Sequence, residues 1–216
     1  MTNKYVERLE GTKTRVLDTR KTTPGMRMLE KQAVKIGGGC NHRIGLFDMI
    51  LLKDNHVDFS GGIANAINRC HEYLKAKNLD LKIEIEVRNF DELQQAIDCG
   101  GINRIMLDNF SVENTKKAVD IVAGRYEVES SGGITFDTLR DYAECGVDFI
   151  SVGALTHSVK GLDILLVEDI VDTGRTLSVV KQMLYNKGAQ RVKIVSLLDK
   201  PDRRVVDIEA DYVGFT

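Results

Sequence analysis

Glu168 and Asp169 follow the apolar run 164–167, and Asp172, Thr173, Gly174 and Thr176 come directly after them. Such a run fits a strand buried on both faces. Adjacent acids at its end can accept hydrogen bonds from vicinal hydroxyls or hold Mg²⁺. A ribose suits the acids. Gly174 lets the backbone approach a ligand, while Thr173, Thr176 and the N–H groups of a helix starting near Thr176 can cradle a phosphate. A second set lies upstream. Arg20, Lys21, His42, Arg43 and Lys53 sit near strand ends beside a Gly-rich stretch. Cations gathered this way suit a multiply anionic ligand, with arginine offering a fork and lysine a point charge.

These residues need a frame. Apolar strands alternating with amphipathic stretches give the rhythm of parallel βα units. Strands are predicted at 14–18, 49–53, 82–87, 104–108, 126–129, 149–152, 164–167 and 192–198, with an extra one at 211–215. Helical stretches include 90–99, 112–122, 136–145 and 177–186, with Gly100, Gly101, Gly146 and Gly188 as C-caps. Eight units predict a parallel (βα)8-type barrel or a barrel-like sheet. Closure demands consistent tilt and register, and the alternative is an open sheet at the C-terminus.

Nearly every strand runs into polar residues, and in parallel βα proteins such ends gather on one face. Asp18 with Arg20 and Lys21, Lys53, Glu86, Asp108, Ser131 and Gly153 all fall there. In 82–88 the charged residues Lys82, Glu84, Glu86 and Arg88 alternate with Ile83, Ile85 and Val87. In a barrel the charged set points inward, where charges persist when paired or binding something. Glu86, nearest the strand end, is the better ligand contact. His56 and His157 read as hydrogen-bonding residues, and residues 42–56 lack a zinc-ligand arrangement.

The chain of 216 residues has a net charge of −2, which gives no reason to expect nucleic acid or an anionic membrane as partner. Cys40, Cys70, Cys99 and Cys145 form no C-x-x-C pair and point to reduced thiols in a cytoplasmic compartment. No apolar run reaches the roughly 20 residues needed to span a bilayer.

The segment 164–176, ILLVEDIVDTGRT, resembles the phosphoribosyl pyrophosphate (PRPP) motif of type I phosphoribosyltransferases. VKIVSLLDKPDRR (192–204) and ADYVGF (210–215) resemble the hypoxanthine-guanine branch. That resemblance implies that Glu168 and Asp169 hold ribose hydroxyls, Asp172 lies beside the reacting base, Asp172 to Thr176 wrap the 5′-phosphate, and Lys200 reads the purine oxygen. The string 18–56, with IEIEVRNFDELQQA, RIMLDNF, ESSGGIT and ISVGALTHS, is similar to the quinolinate phosphoribosyltransferases. It implies a type II barrel in which Mg²⁺ supports the joining of quinolinate to PRPP, with loss of CO₂ and diphosphate. Arg20, His42 and Arg43 would grip the dicarboxylate, with Lys21 and Lys53 serving dicarboxylate and diphosphate. Glu86 and Asp108 would hold the ribose or its metal. Backbone groups of Ser131, Gly132 and Gly133, and of Val152, Gly153 and Ala154, would take the phosphate.

Two resemblances meeting at 162–164 lead to the expectation of an engineered chimeric scaffold, with a barrel segment at 1–163 and a type I segment at 164–216 in one integrated domain. It would lack the quinolinate family's N-terminal domain and the hypoxanthine family's hood. It would bind phosphate, sulfate or PRPP with little turnover, as a monomer or homodimer. The alternative is a working transferase making nicotinate mononucleotide from quinolinate and PRPP.

Overall fold

The computed structural model describes residues 1–157, 163–186, 189 and 191–216. Leu162 at the expected junction and the C-cap expected at Gly188 lie outside them. The chain divides into two compact units, Met1–His157 and Ser158–Thr216, a few residues before the junction expected at 163/164.

In the first unit, β1 (Arg15–Leu17), β2 (Ile50–Leu52), β3 (Ile83–Val87), β4 (Arg104–Asp108), β5 (Glu127–Ser131) and β6 (Phe149–Ser151) form one parallel sheet. Its order is β1-β6-β5-β4-β3-β2. Around it come α1 (Thr2–Arg8), α2 (Arg27–Ile36), α3 (Asp54–Ser60), α4 (Ile63–Lys77), α5 (Phe90–Cys99), α6 (Val112–Val122) and α7 (Leu139–Glu144).

One face of the sheet is apolar. Ile83, Ile85 and Val87 of β3, Ile105 and Leu107 of β4, Val128 of β5 and Ile150 of β6 cluster with Leu93 and Ala96 of α5, Ala118 of α6 and Leu139 of α7. Each large aliphatic chain buried this way contributes roughly 1.5–3 kcal/mol. Helix α5 shows why these segments coil. Leu93, Ala96 and Ile97 recur at helical spacing and are buried, the Asn89 side chain accepts a hydrogen bond from the Glu92 N–H at 2.9 Å, and Gly100 ends the helix at φ 68°.

The opposite face carries the chemistry. Cross-strand register sets Glu84 beside Arg104 and Arg104 beside Glu127. The next row runs Glu86, Met106, Glu129, Phe149, and Asp108 pairs with Ser131 beyond it. Because all six strands are parallel, Glu86, Asp108, Ser131 and the residues just past β1, β2 and β6 collect at one end.

The second unit holds β7 (Asp163–Val171), α8 (Arg175–Asn186), β8 (Arg191–Asp199) and β9 (Tyr212–Phe215). Its parallel sheet has the order β7-β8-β9 over a small core of Val171, Leu177, Ile194 and Ile208. An eight-unit barrel closed by the seventh and eighth strands does not form among the described residues. Strands β7 and β8 are each nine residues long and pair with one another from Asp163–Arg191 to Val171–Asp199, whereas β1, β2 and β6 are three residues long. Continuous pairing within the β7–α8–β8 unit satisfies those backbones locally. The same pairing corrects the expected end of the strand. Ile170 and Val171 continue the ladder with Leu198 and Asp199, so Glu168 and Asp169 lie within β7 instead of at its tip.

Candidate active site

Arg20 follows β1 by three residues, and its Nε is buried with no hydrogen-bond partner. Lys21 beside it is exposed, but its carbonyl accepts the Thr156 hydroxyl at 2.6 Å, tying the loop after β1 to the turn after β6. Arg43 donates through Nη1 to the Met49 carbonyl at 3.3 Å. Partial burial and then the Arg20 charge hold its pKa below the ordinary arginine value. Two guanidiniums in each other's field, one with a buried unpaired N–H, leave cationic hydrogen-bonding capacity for an anion.

Lys53 stands at the mouth of α3, where its N–H donates to His56 Nδ1 at 3.0 Å, which bears out the hydrogen-bonding reading of His56. The Lys53 ammonium contacts Glu86 Oε2 at 2.8 Å. Asp108, half-buried, accepts from the Asn109 amide at 2.9 Å. Asn109 itself adopts φ 55°, and its N–H reaches the Ser131 carbonyl at 2.9 Å. Gly132 has φ 94°, and a Cβ there would meet Asn109 Oδ1 at 2.2 Å, so only glycine keeps this approach. Gly153 is similarly crowded, its would-be Cβ lying 2.4 Å from His157 Nε2. Val152, Gly153 and Ala154 lie at the end of β6, where Gly153–Leu155 form a 3-10 turn.

His42 lies among buried charges. Its ring is buried, with Nε2 2.9 Å from Glu84 Oε2 and 3.6 Å from Glu129 Oε2. Arg104 completes the group: Nη1 lies 3.0 Å from Glu129 Oε2, and Nη2 lies 3.1 Å from Glu127 Oε2. The guanidinium stacks 4.0 Å from the Phe149 ring centroid. Burial, reinforced by the Glu84 charge, pushes Glu129 up to about 8, and burial also raises Glu84 and lowers His42. The pattern in 82–88 places Glu84 and Glu86 on the inner face, as found, whereas the other two charged residues of the set are exposed. Lys82 is exposed, and Arg88 pairs with Asp58 at 3.0 Å and with Glu92.

A second buried group went unread in the sequence. The Asp18 carboxylate accepts from the Lys31 ammonium, the Asn41 amide and the His42 N–H, the last at 2.9 Å. Asp18 and Lys31 are both buried, and their link joins β1 to α2 and to the segment bearing His42 and Arg43. The alternation that puts Glu84 and Glu86 on the inner face also runs through Arg104, Met106 and Asp108 and through Glu127, Glu129 and Ser131. The same count applied to β4 and β5 finds the inner layer.

The remaining predicted residues lie in the second unit. The Asp172 side chain accepts from the Thr173 N–H, which holds its carboxyl below the usual range. Gly174 has φ 75°, and a Cβ there would meet Ile208 Cγ2 at 2.4 Å. Thr176 lies in the first turn of α8, and Glu168 pairs in register with Ser196. Lys200 and Asp169 are exposed, and the Lys200 N–H reaches the Val171 carbonyl at 2.9 Å.

This parallel α/β sheet with cationic and acidic residues at the carboxyl ends of its strands belongs to a segment that sequence comparison assigns to a known family. Residues 1–167 match the family described as quinolinate phosphoribosyl transferase, C-terminal domain, and the chain belongs to that family. It is 48% identical over 165 residues to the chloroplastic nicotinate-nucleotide pyrophosphorylase of Arabidopsis thaliana, covering 70% of this chain and 47% of that protein. It is 43% identical over 164 residues to a probable nicotinate-nucleotide pyrophosphorylase of Bacillus subtilis, covering 76% of this chain and 55% of the other. The solved pyrophosphorylase of Francisella tularensis superposes with a TM-score of 0.68 at 47% identity, over 72% of this chain and 54% of that one. The chain thus spans about half the length of the relatives it matches. Superposition on a Bacillus anthracis hypoxanthine-guanine phosphoribosyltransferase reaches a TM-score of only 0.26 at 28% identity, over 49% of this chain and 77% of that one.

These similarities overturn the expectation of an engineered scaffold with little or no turnover. Identity at this level to natural pyrophosphorylases spans most of the chain, and the family match over residues 1–167 includes the whole first sheet. Among the described residues no helix is long and apolar enough to cross a membrane.

Proposed function

We propose that the first unit is the phosphoribosyl-transfer domain of a nicotinate-nucleotide pyrophosphorylase, acting on quinolinate and PRPP. The observation that carries this reading is the gathering of Arg20, with its buried unpaired Nε, Arg43 and the Lys53–Glu86 pair at the carboxyl ends of parallel strands. Two forked cations suit a planar dicarboxylate, and a lysine beside a carboxylate suits a ribose diphosphate.

In the reaction the pyridine nitrogen forms a bond to the ribose C1′ as the C1′–diphosphate bond breaks. The ring carboxyl next to that nitrogen then leaves as CO₂, and a proton takes its place. Arg20 and Arg43 orient the dicarboxylate, Lys53 and Lys21 offset charge on the leaving diphosphate, and Glu86 and Asp108 stabilise positive charge developing at C1′. Glu86 and Asp108 carry free carboxylate capacity toward the ribose hydroxyls or a hydrated Mg²⁺, which would neutralise the diphosphate. Among the described residues, the closest cluster of metal-ligand types is His42, Glu84 and Glu129, and Glu86 and Asp108 stand outside it. The backbone at Ser131, Gly132 and Gly133 and at Val152, Gly153 and Ala154 would receive the 5′-phosphate.

The turn 172–176 of the second unit is assigned the type I PRPP-loop role that its sequence resembles. The positive φ of Gly174 at the mouth of α8 supports that assignment. Incubation with quinolinate, PRPP and Mg²⁺ should release CO₂ and nicotinate mononucleotide in equal amounts, and Glu86→Ala should abolish both. No product above background from the wild-type chain would refute the proposal.

A further inference from the structure

Among the described residues, the positive-φ positions that are not glycine are Asn78, Asn109 and Ala123. Asn78 and Ala123 cap the C-termini of α4 and α6, where a left-handed residue is a usual way to end a helix. Asn109 caps no helix. It sits at φ 55° directly after β4, one residue past Asp108. A side chain is uncommon in that region, and such a conformation persists where the surrounding structure over-determines it.

Both sides of Asn109 are pinned. Its N–H reaches the Ser131 carbonyl at 2.9 Å, which carries the β4–β5 ladder on beyond the Asp108–Ser131 register pair. On the other side Phe110 is buried, its ring edge-on to Phe90 at 5.5 Å between centroids, and its carbonyl accepts the Tyr142 hydroxyl at 2.9 Å. The chain must turn within one residue between the ladder and this anchor, and Asn109 makes the turn.

The side chain of Asn109 is exposed, so burial does not account for where it lies. Its Nδ2 donates to Asp108 Oδ2 at 2.9 Å. An ionised carboxylate only accepts, so the amide must turn its nitrogen to Asp108 and its oxygen away. That oxygen faces Gly132, where an added Cβ would lie 2.2 Å from Asn109 Oδ1 and 2.9 Å from the Asn109 N. One residue therefore touches both the Asp108 carboxylate and the backbone turn at Gly132.

We propose that Asn109 is a positioning residue that holds Asp108 Oδ2, leaves the other carboxylate oxygen for the ribose, and spaces Asp108 from the turn that receives the 5′-phosphate. A pentose phosphate presents C1′ and its phosphate at a separation set by the sugar, and Asn109 fixes the matching separation in the protein. This rests on the phosphoribosyl-transfer reading above and adds the residue that spaces its two ends.

The test is a double-mutant cycle on the full chain, read by calorimetric titration with PRPP and Mg²⁺, by titration with quinolinate, and by turnover. Asn109→Gly keeps the positive φ and removes the amide. Asn109→Asp keeps the shape and sets an oxygen where Nδ2 stood. Each should raise the PRPP dissociation constant about 10-fold and lower kcat about 10–100-fold, while quinolinate affinity stays within about twofold of wild type. In an Asp108→Ala background neither change should weaken PRPP binding further, because a residue acting through Asp108 has nothing left to position. Undiminished losses in that background would overturn the inference, since Asn109 would then meet the ligand itself. So would Asn109 variants that leave PRPP binding and kcat unchanged, an Asn109→Asp that behaves as wild type, or quinolinate affinity that falls as far as PRPP affinity. A wild type that binds PRPP yet makes no product from quinolinate refutes the quinolinate reading alone, and the PRPP cycle still decides the role of Asn109. A wild type that binds no PRPP overturns both. If Asn109→Asp fails to fold, Asn109→Gly carries the cycle.

Discussion

Replacing Glu129 with glutamine should flatten the dependence of stability on pH. Glu129 is fully buried, and burial followed by the Glu84 charge pushes its pKa up to about 8 from an ordinary 4.5. The folded protein therefore keeps a proton that the unfolded chain releases above about pH 4.5, and stability must fall as pH rises between those two values. At about 1.4 kcal/mol per pH unit, the interval from pH 5.5 to 8 removes at most about 3 kcal/mol. Above the folded value the loss levels off. Glutamine is neutral throughout and matches the protonated acid in shape, so Glu129→Gln should resemble wild type near pH 5.5 and exceed it at pH 8 by up to about 3 kcal/mol. Urea unfolding followed by circular dichroism at both pH values measures the difference. Parallel slopes for the two proteins, within about 0.5 kcal/mol, would refute the claim that Glu129 retains a proton in the folded state.

Other consequences are local. Lys31→Met strands the buried Asp18 carboxylate and should cost about 3–5 kcal/mol by chemical denaturation, the usual penalty for removing one partner of a buried pair. Gly132→Ala combines a φ of 94° with a Cβ 2.2 Å from Asn109 Oδ1, so it should raise the dissociation constant for PRPP and lower the melting temperature, whereas Gly124→Ala, with open space around it, pays only for its φ. Asn89→Ala removes the cap of α5 and should lower stability by about 1 kcal/mol. Glu86→Gln should leave the Lys53 ammonium without its ionic partner and reduce turnover more than quinolinate binding, a split visible in kcat against KM.

Much of the first unit is legible from period and punctuation. The limits of α5 and α6 agree with the predicted 90–99 and 112–122, because apolar residues at helical spacing lie between a capping side chain and a residue with positive φ. Strand β4 likewise matches 104–108. Helix α7 is shorter than the predicted 136–145. There Thr135 and Thr138 hydrogen-bond one another across a turn before the helix can start.

Residue types and their spacing determined on their own that charges line one face of the parallel strands, that Glu86 and Asp108 stand near the carboxyl ends, and that glycines mark the close backbone approaches. Those properties follow from the two-residue period of a strand and from steric limits on φ, both local. Only the tertiary structure decided which charge meets which. It set His42 against Glu84 and Glu129, paired Lys31 with Asp18, and brought Arg104 between two acids. It also separated β7, β8 and β9 into a sheet of their own. Partner choice among buried charges depends on strand order and register across residues distant in the chain. A strand can join whichever neighbour satisfies its full length, so no local pattern in the sequence encodes either outcome.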